Sequence, residues 1–188
     1  MSIRTSGSSR SGRLPVYFTV DVEVWCDGWD DLDSKFSNCF RQYIGGETSS
    51  GRYGVEFQAR ILKEHGLRGT FFVEPLFSLR FGKDWLDEVV GQVLPHQQDV
   101  QLHLHTEWVD EAKDPRLPVV DRKHQYLRQF SEAEQAVLLA AGRDLLCSAG
   151  APPPACFRAG SFGFNAATLN ALERVGIFMD ASYNATMF

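Results

Sequence analysis

Two carboxylates and two imidazoles define the chemistry open to this chain. Asp21 and Glu23 stand two apart in VYFTVDVEVW; His103 and His105 stand two apart in DVQLHLHTEW. Both stretches alternate in polarity, so each pair projects from one face of a strand. Acids at the end of a β-branched, aromatic strand are costly to bury uncompensated. A cation, a basic residue or bulk water must answer them. Two imidazoles sharing a face can chelate an ion, and zinc accepts imidazole and carboxylate ligands while keeping one position for water. Such an ion lowers the pKa of its water towards ~7 and polarises a carbonyl. A carboxylate that does not bind the metal can then serve as general base. Asp21 and Glu23 offer those two jobs. Arg158, in FRAG, adds a cation able to pair with and orient one of the acids. Each signal taken singly has a blander alternative: acids on a solvated surface, histidines in hydrogen-bonded structure, an arginine in a salt bridge.

The elements that must position these groups follow one another regularly. Residues 16–25 predict a first strand, with Val16, Phe18, Val20 and Val22 packed behind the acids. Residues 26–54 are rich in Gly, Asp and Ser without a clean period, and predict a long loop beside the acid pair. A helix is expected over 55–65, with Val55, Ala59 and Leu62 in phase and Gly66 as its C-terminal cap. LRGTFFVEP predicts a second strand, with Thr70, Phe72 and Glu74 on one face. A helix over 85–94 leads to the histidine strand. Residues 106–130 carry Pro115 and Pro118 and predict a loop. Ser131 and Glu134 form a capping box for a helix that Gly150 closes. APPPACFRAG predicts a fourth strand, Asn165 caps another helix, and IFMDAS predicts a fifth strand. Strand and helix alternating in this way indicate a parallel sheet, either open and doubly wound or closed into a barrel. Both place active sites at the C-terminal ends of strands, where the acids, the histidines and Arg158 cluster. No glycine-rich phosphate loop opens the first helix, which argues against a nucleotide fold.

The length of 188 residues suits one domain, and 44% hydrophobic with 23% charged residues is ordinary for a globular protein. The formal net charge of −5 and the lack of a basic stripe argue against a nucleic-acid partner. No apolar run is long enough for a membrane span. Residues 1–13 are polar and lack the apolar centre of a secretory signal, which predicts a disordered tail and a cytoplasmic protein. Cys26, Cys39, Cys147 and Cys156 form no C-x-x-C pair and read as idle thiols.

The ordered set FTVDVE, LRGTFFVE, VQLHLHTEW, FRAGSFG and IFMDASYN resembles the motifs of NodB-type polysaccharide deacetylases, a carbohydrate esterase family, over about residues 14–184. The resemblance implies a distorted (β/α) barrel of about seven strands and a divalent metal, usually zinc. It also implies removal of acyl groups from amino sugars or related amides. By it, Asp21 takes the catalytic-base position, acting on a metal-bound water, and Glu23 takes that of the metal carboxylate. His103 matches the first histidine of an H-x-x-x-H pattern whose second position is here Glu107. Either Glu107 is the ligand or His105 takes over, and the strand period favours His105. Arg158 matches the arginine that contacts the base. Asp180 falls near a fourth motif with no role assigned. The family's late L-x-H segment, which supplies a general acid, has no counterpart, and His65, His96 and His124 read as surface residues.

The chain therefore reads as an N-terminal fragment. Residues 14–188 would form an incomplete barrel domain of about five strand–helix units, with open edges and no activity alone. Its expected substrate is an acylated carbohydrate or small amide. Two rivals differ in outcome: a hydrolase of another non-peptide C–N bond on the same barrel, and a non-catalytic carbohydrate-binding remnant.

Overall fold

The structure is a computed structural model that describes residues 14–186; the tail expected over 1–13 lies outside them. In chain order the elements are β1 (Phe18–Val22), α1 (Leu32–Tyr43), β2 (Glu47–Thr48), β3 (Gly51–Arg52), α2 (Val55–Glu64), β4 (Gly69–Val73), α3 (Ser78–Phe81), α4 (Lys83–Val93), β5 (Asp99–Leu104), α5 (Glu132–Ser148), β6 (Cys156–Ala159), α6 (Ala166–Val175) and β7 (Met179–Asp180). Strands β1, β4, β5, β6 and β7 pair in that order, all parallel, into one sheet flanked by helices. Strands β2 and β3 form a separate antiparallel hairpin.

Period-two alternation divides the sheet into two faces. Val22, Phe71, Val73, Val100, Leu102, Leu104, Phe157 and Ala159 face the helices and are buried in the core. Between them on the chain stand Asp21, Phe72, Gln101, His103 and Arg158, which face the concave side. The register sets Asp21 beside Phe72 and Phe72 beside Gln101, with His103 beside Arg158. The sheet rolls strongly. Arg158 on β6 reaches Asp21 and Thr19 on β1, although β4 and β5 lie between them. That roll makes the polar face the interior of a partial barrel.

Helix boundaries follow their local chemistry. Ser131 and Glu134 close the expected capping box of α5, and Asn165 caps α6 through the Thr168 amide. Gly66, at φ 66°, ends α2: Leu67 N–H donates to the Leu62 carbonyl and Gly66 N–H to that of Lys63. Among the described residues no helix is long and apolar enough to cross a membrane.

Three expectations need correction. The loop predicted over 26–54 contains α1 and the hairpin. Leu32, Phe36, Phe40 and Ile44 recur every four residues and are buried, with Phe36 stacked 3.7 Å from Phe81. The apolar backing predicted for the first strand holds at Val22 and, in part, at Val20. Val16 (84% exposed) and Phe18 (49%) stay open because β1 is an edge of the described sheet. The fifth strand shortens to Met179–Asp180.

Glu74 continues the inner face beyond β4 and is fully buried. Its carboxylate accepts the amides of Leu76 (2.8 Å) and Phe77 (3.3 Å) at the turn into α3. Burial pushes this carboxyl up to about 8 despite those donors. A carboxyl raised in the folded state contributes stability that is fully present below its ordinary value of 4.5 and is lost as pH rises through about 8. Urea unfolding of metal-free protein should show a loss of stability across that window, and Glu74→Gln should shrink it. An equal loss in the variant would exclude Glu74 as its source.

Candidate metal centre

The C-terminal ends of β1, β5 and β6 open into a cleft of ≈ 290 Å³, lined by Asp21, Glu23, Trp25, His103, His105, Arg158, Ala159, Ser161 and Phe162. Glu23 lies one residue past β1 and His105 one past β5, so the strand ends aim both carboxylate and imidazole at this rim.

Glu23, His103 and His105 converge, each offering a ligand atom within 4.8 Å of the others. One oxygen, Glu23 Oε2, faces both rings: His105 Nε2 at 2.5 Å and His103 Nε2 at 3.3 Å. The His103 tautomer is set from behind. Its Nδ1 lies 2.8 Å from the Arg158 carbonyl, which can only accept, so Nδ1 carries the hydrogen and Nε2 is left for the cleft. Both histidines are nearly fully buried, and Trp25 packs edge-on against His105 with ring centroids 4.9 Å apart.

The electrostatics call for a cation at this point. Burial raises the Glu23 carboxyl, but its contacts with the His103 and His105 rings and the charge on His105 hold it well below the usual carboxylate range. Burial likewise opposes the His105 imidazolium, yet Glu107 and Glu23 push that ring up to about 10. One carboxylate and two imidazoles form a donor set that suits zinc with a position left open, so these residues fit a divalent metal.

Asp21 stands apart from that trio, on the Arg158 side of the cleft. Arg158 donates to Asp21 Oδ1 at 2.5 Å and to Thr19 Oγ1 at 3.2 Å, and its guanidinium lies 4.1 Å over the Phe72 ring. The acid pair thus divides: Glu23 faces the histidines and Asp21 faces the arginine. Glu107 does not join the convergent group. Its Oε2 lies 3.4 Å from Nδ1 of His105, whereas Glu23 meets Nε2 of that ring. Asp180 accepts the Ser182 hydroxyl and does not line the cleft, nor do His65, His96 and His124.

No protein-family model matches the chain, and no curated protein matches its sequence. Solved structures do match. A Mycobacterium smegmatis protein provisionally named a polysaccharide deacetylase superposes with a TM-score of 0.57 at 20% identity, over 87% of this chain and 49% of its own. A CE4 family pseudoenzyme from Bacillus anthracis gives 0.53 at 15% identity, over 87% of this chain and 41% of its own. A mutant of that pseudoenzyme with restored enzymatic activity gives 0.52 at 15% identity, over 87% and 43%.

This is the NodB-type deacetylase fold. The chain spans less than half the length of each of these neighbours.

Within the deacetylase fold, the residues that sequence reasoning left unassigned are Thr19 and Phe72, which seat Arg158, and Ser161 and Phe162, which border the cleft. The first two were available from the alternation, since each shares a face with a residue already singled out. Ser161 and Phe162 adopt φ 49° and 55°, a backbone conformation that no residue type there announces.

Proposed function

We propose that the protein is a metal-dependent hydrolase that removes acyl groups from amino sugars or a related polysaccharide, breaking a non-peptide C–N bond. The observation that carries this reading is the meeting, in one cleft of a deacetylase fold, of a Glu–His–His group with a separately held Asp–Arg pair. Glu23, His103 and His105 would hold the ion, with Zn2+ the best match to two imidazoles and one carboxylate. When bound, such an ion supplies Lewis acidity to the acyl group and the attacking water. Asp21 accepts the proton that the water gives up as it adds to the acyl carbon. Arg158 aims Asp21 through the short Oδ1 contact, and its own position is fixed by Thr19 and the Phe72 ring. Trp25 presents an apolar wall beside His105. Water adds to the acyl carbon, the C–N bond breaks, the proton taken up by Asp21 passes to the departing nitrogen, and acetate and a free amine leave.

A second reading has one observation in its favour. Among the described residues no histidine beyond the Glu23-facing pair lines the cleft, so the described cleft offers no third imidazole to protonate the leaving amine. Sugar binding without turnover would follow. Acetate release from N-acetylated amino-sugar oligomers by the zinc-loaded chain separates the two, with cyclic amides as a parallel panel. Release from the sugars supports the deacetylase reading. Turnover of the cyclic amides alone, or sugar binding with no acetate, overturns it.

A further inference from the structure

We infer that Glu107 is a positioning residue, which holds the His105 ring so that Nε2 is presented to the metal while Nδ1 keeps its hydrogen. The inference rests on the metal-site reading above and concerns how that site is built.

Glu107 occupies the position where the family pattern puts a second histidine, but the chain folds it behind the first row of donors. Residues Thr106–Trp108 form a single 3-10 turn directly after His105. Three contacts pin that turn. Trp108 is buried against Trp29, with ring centroids 4.8 Å apart; Thr106 Oγ1 donates to the His124 carbonyl at 2.7 Å; and Lys123 Nζ donates to the Glu107 carbonyl at 3.2 Å. The Glu107 side chain, 9% exposed, is thereby turned inward to His105, 6% exposed.

Two of the buried side-chain atoms without a hydrogen-bond partner meet at this ring. His105 Nδ1 and Glu107 Oε2 are both buried, and neither has another partner. They face each other at 3.4 Å, a few tenths of an ångström beyond a good hydrogen bond. A buried donor or acceptor left unmade is costly, so the pair has reason to close. A neutral imidazole that gives the Nε2 lone pair to a metal must carry its hydrogen on Nδ1, and a carboxylate there is the acceptor it needs. The space is shaped for the same ring. A Cβ on Gly160 would stand 2.8 Å from His105 Nδ1, 2.9 Å from Cε1 and 2.7 Å from the Leu104 carbonyl. Only a glycine lets the ring lie where Glu107 can reach it.

The test is zinc affinity by chelator competition on the full chain, for wild type, Glu107→Ala and Glu107→Gln. Glu107→Ala should bind one zinc per chain about 10–100-fold more weakly. Glu107→Gln, which keeps an acceptor oxygen, should recover part of that loss. Wild-type affinity in Glu107→Ala overturns the inference and leaves the metal site standing. Complete loss in Glu107→Ala with retention in His105→Ala also overturns it, by making Glu107 itself a ligand. A measurement on wild type alone covers the case where the variants fold poorly. In zinc-loaded protein with 15N-labelled histidine, the His105 signals should show metal on Nε2 and hydrogen on Nδ1. Metal on Nδ1 overturns the inference. Wild-type protein that takes up no zinc overturns it together with the reading beneath it.

Discussion

Asp21→Asn should lower acetate release by about 10²–10⁴-fold, the usual share of a general base, while leaving zinc content unchanged. Two features of the cleft separate those effects. Asp21 lies outside the Glu23–His103–His105 group, so its removal would take no ligand from an ion held there. It is the acid that Arg158 holds, so it is the one aimed independently of the metal. Asparagine keeps the size and an oxygen for Arg158 but cannot take a proton. Acetate release and zinc content measured on the same preparation give the answer. A variant with wild-type turnover would remove Asp21 from the chemistry, and a variant that also loses zinc would make it a ligand.

His103→Ala should lose zinc. Full zinc sites bind with roughly 10–16 kcal/mol, so one of a few protein ligands accounts for about 3 kcal/mol, or roughly 10²–10³-fold in affinity. The variant has a second consequence that must not be mistaken for the first. His103 Nδ1 donates to the Arg158 carbonyl, and alanine leaves that oxygen without its donor, at a cost of about 1–3 kcal/mol to the fold. The informative quantity is therefore the zinc-dependent rise in melting temperature, which follows from binding to the folded state alone. Wild type should show the rise and His103→Ala should show almost none. An equal rise in both would mean that the ion sits elsewhere.

The inner face of the sheet was legible because its information is local. Alternation alone separates Asp21, Glu23, His103 and Arg158 from the valines and leucines behind them, and the parallel register carries them to one rim. Helix α1 was hidden for a physical reason. Its buried stripe is one residue wide, with Leu32, Phe36 and Phe40 each followed by polar residues, and α1 has no side-chain cap to announce it. What buries it is the cluster of Phe77, Phe81 and Trp85 from distant parts of the chain. The strand period pointed to His105 rather than Glu107, but the place of Glu107 behind that ring was out of reach. Glu107 lies in the turn after β5, where the period of two no longer says where a side chain points.

X-ray absorption at the zinc edge, on wild-type protein loaded to saturation, reads the claimed donor set directly. One ion per chain is expected, with two imidazole nitrogens and a carboxylate oxygen in its shell at about 2.0–2.2 Å. A shell without imidazole, or zinc uptake well below one per chain, would contradict the assignment of Glu23, His103 and His105 to a common ion.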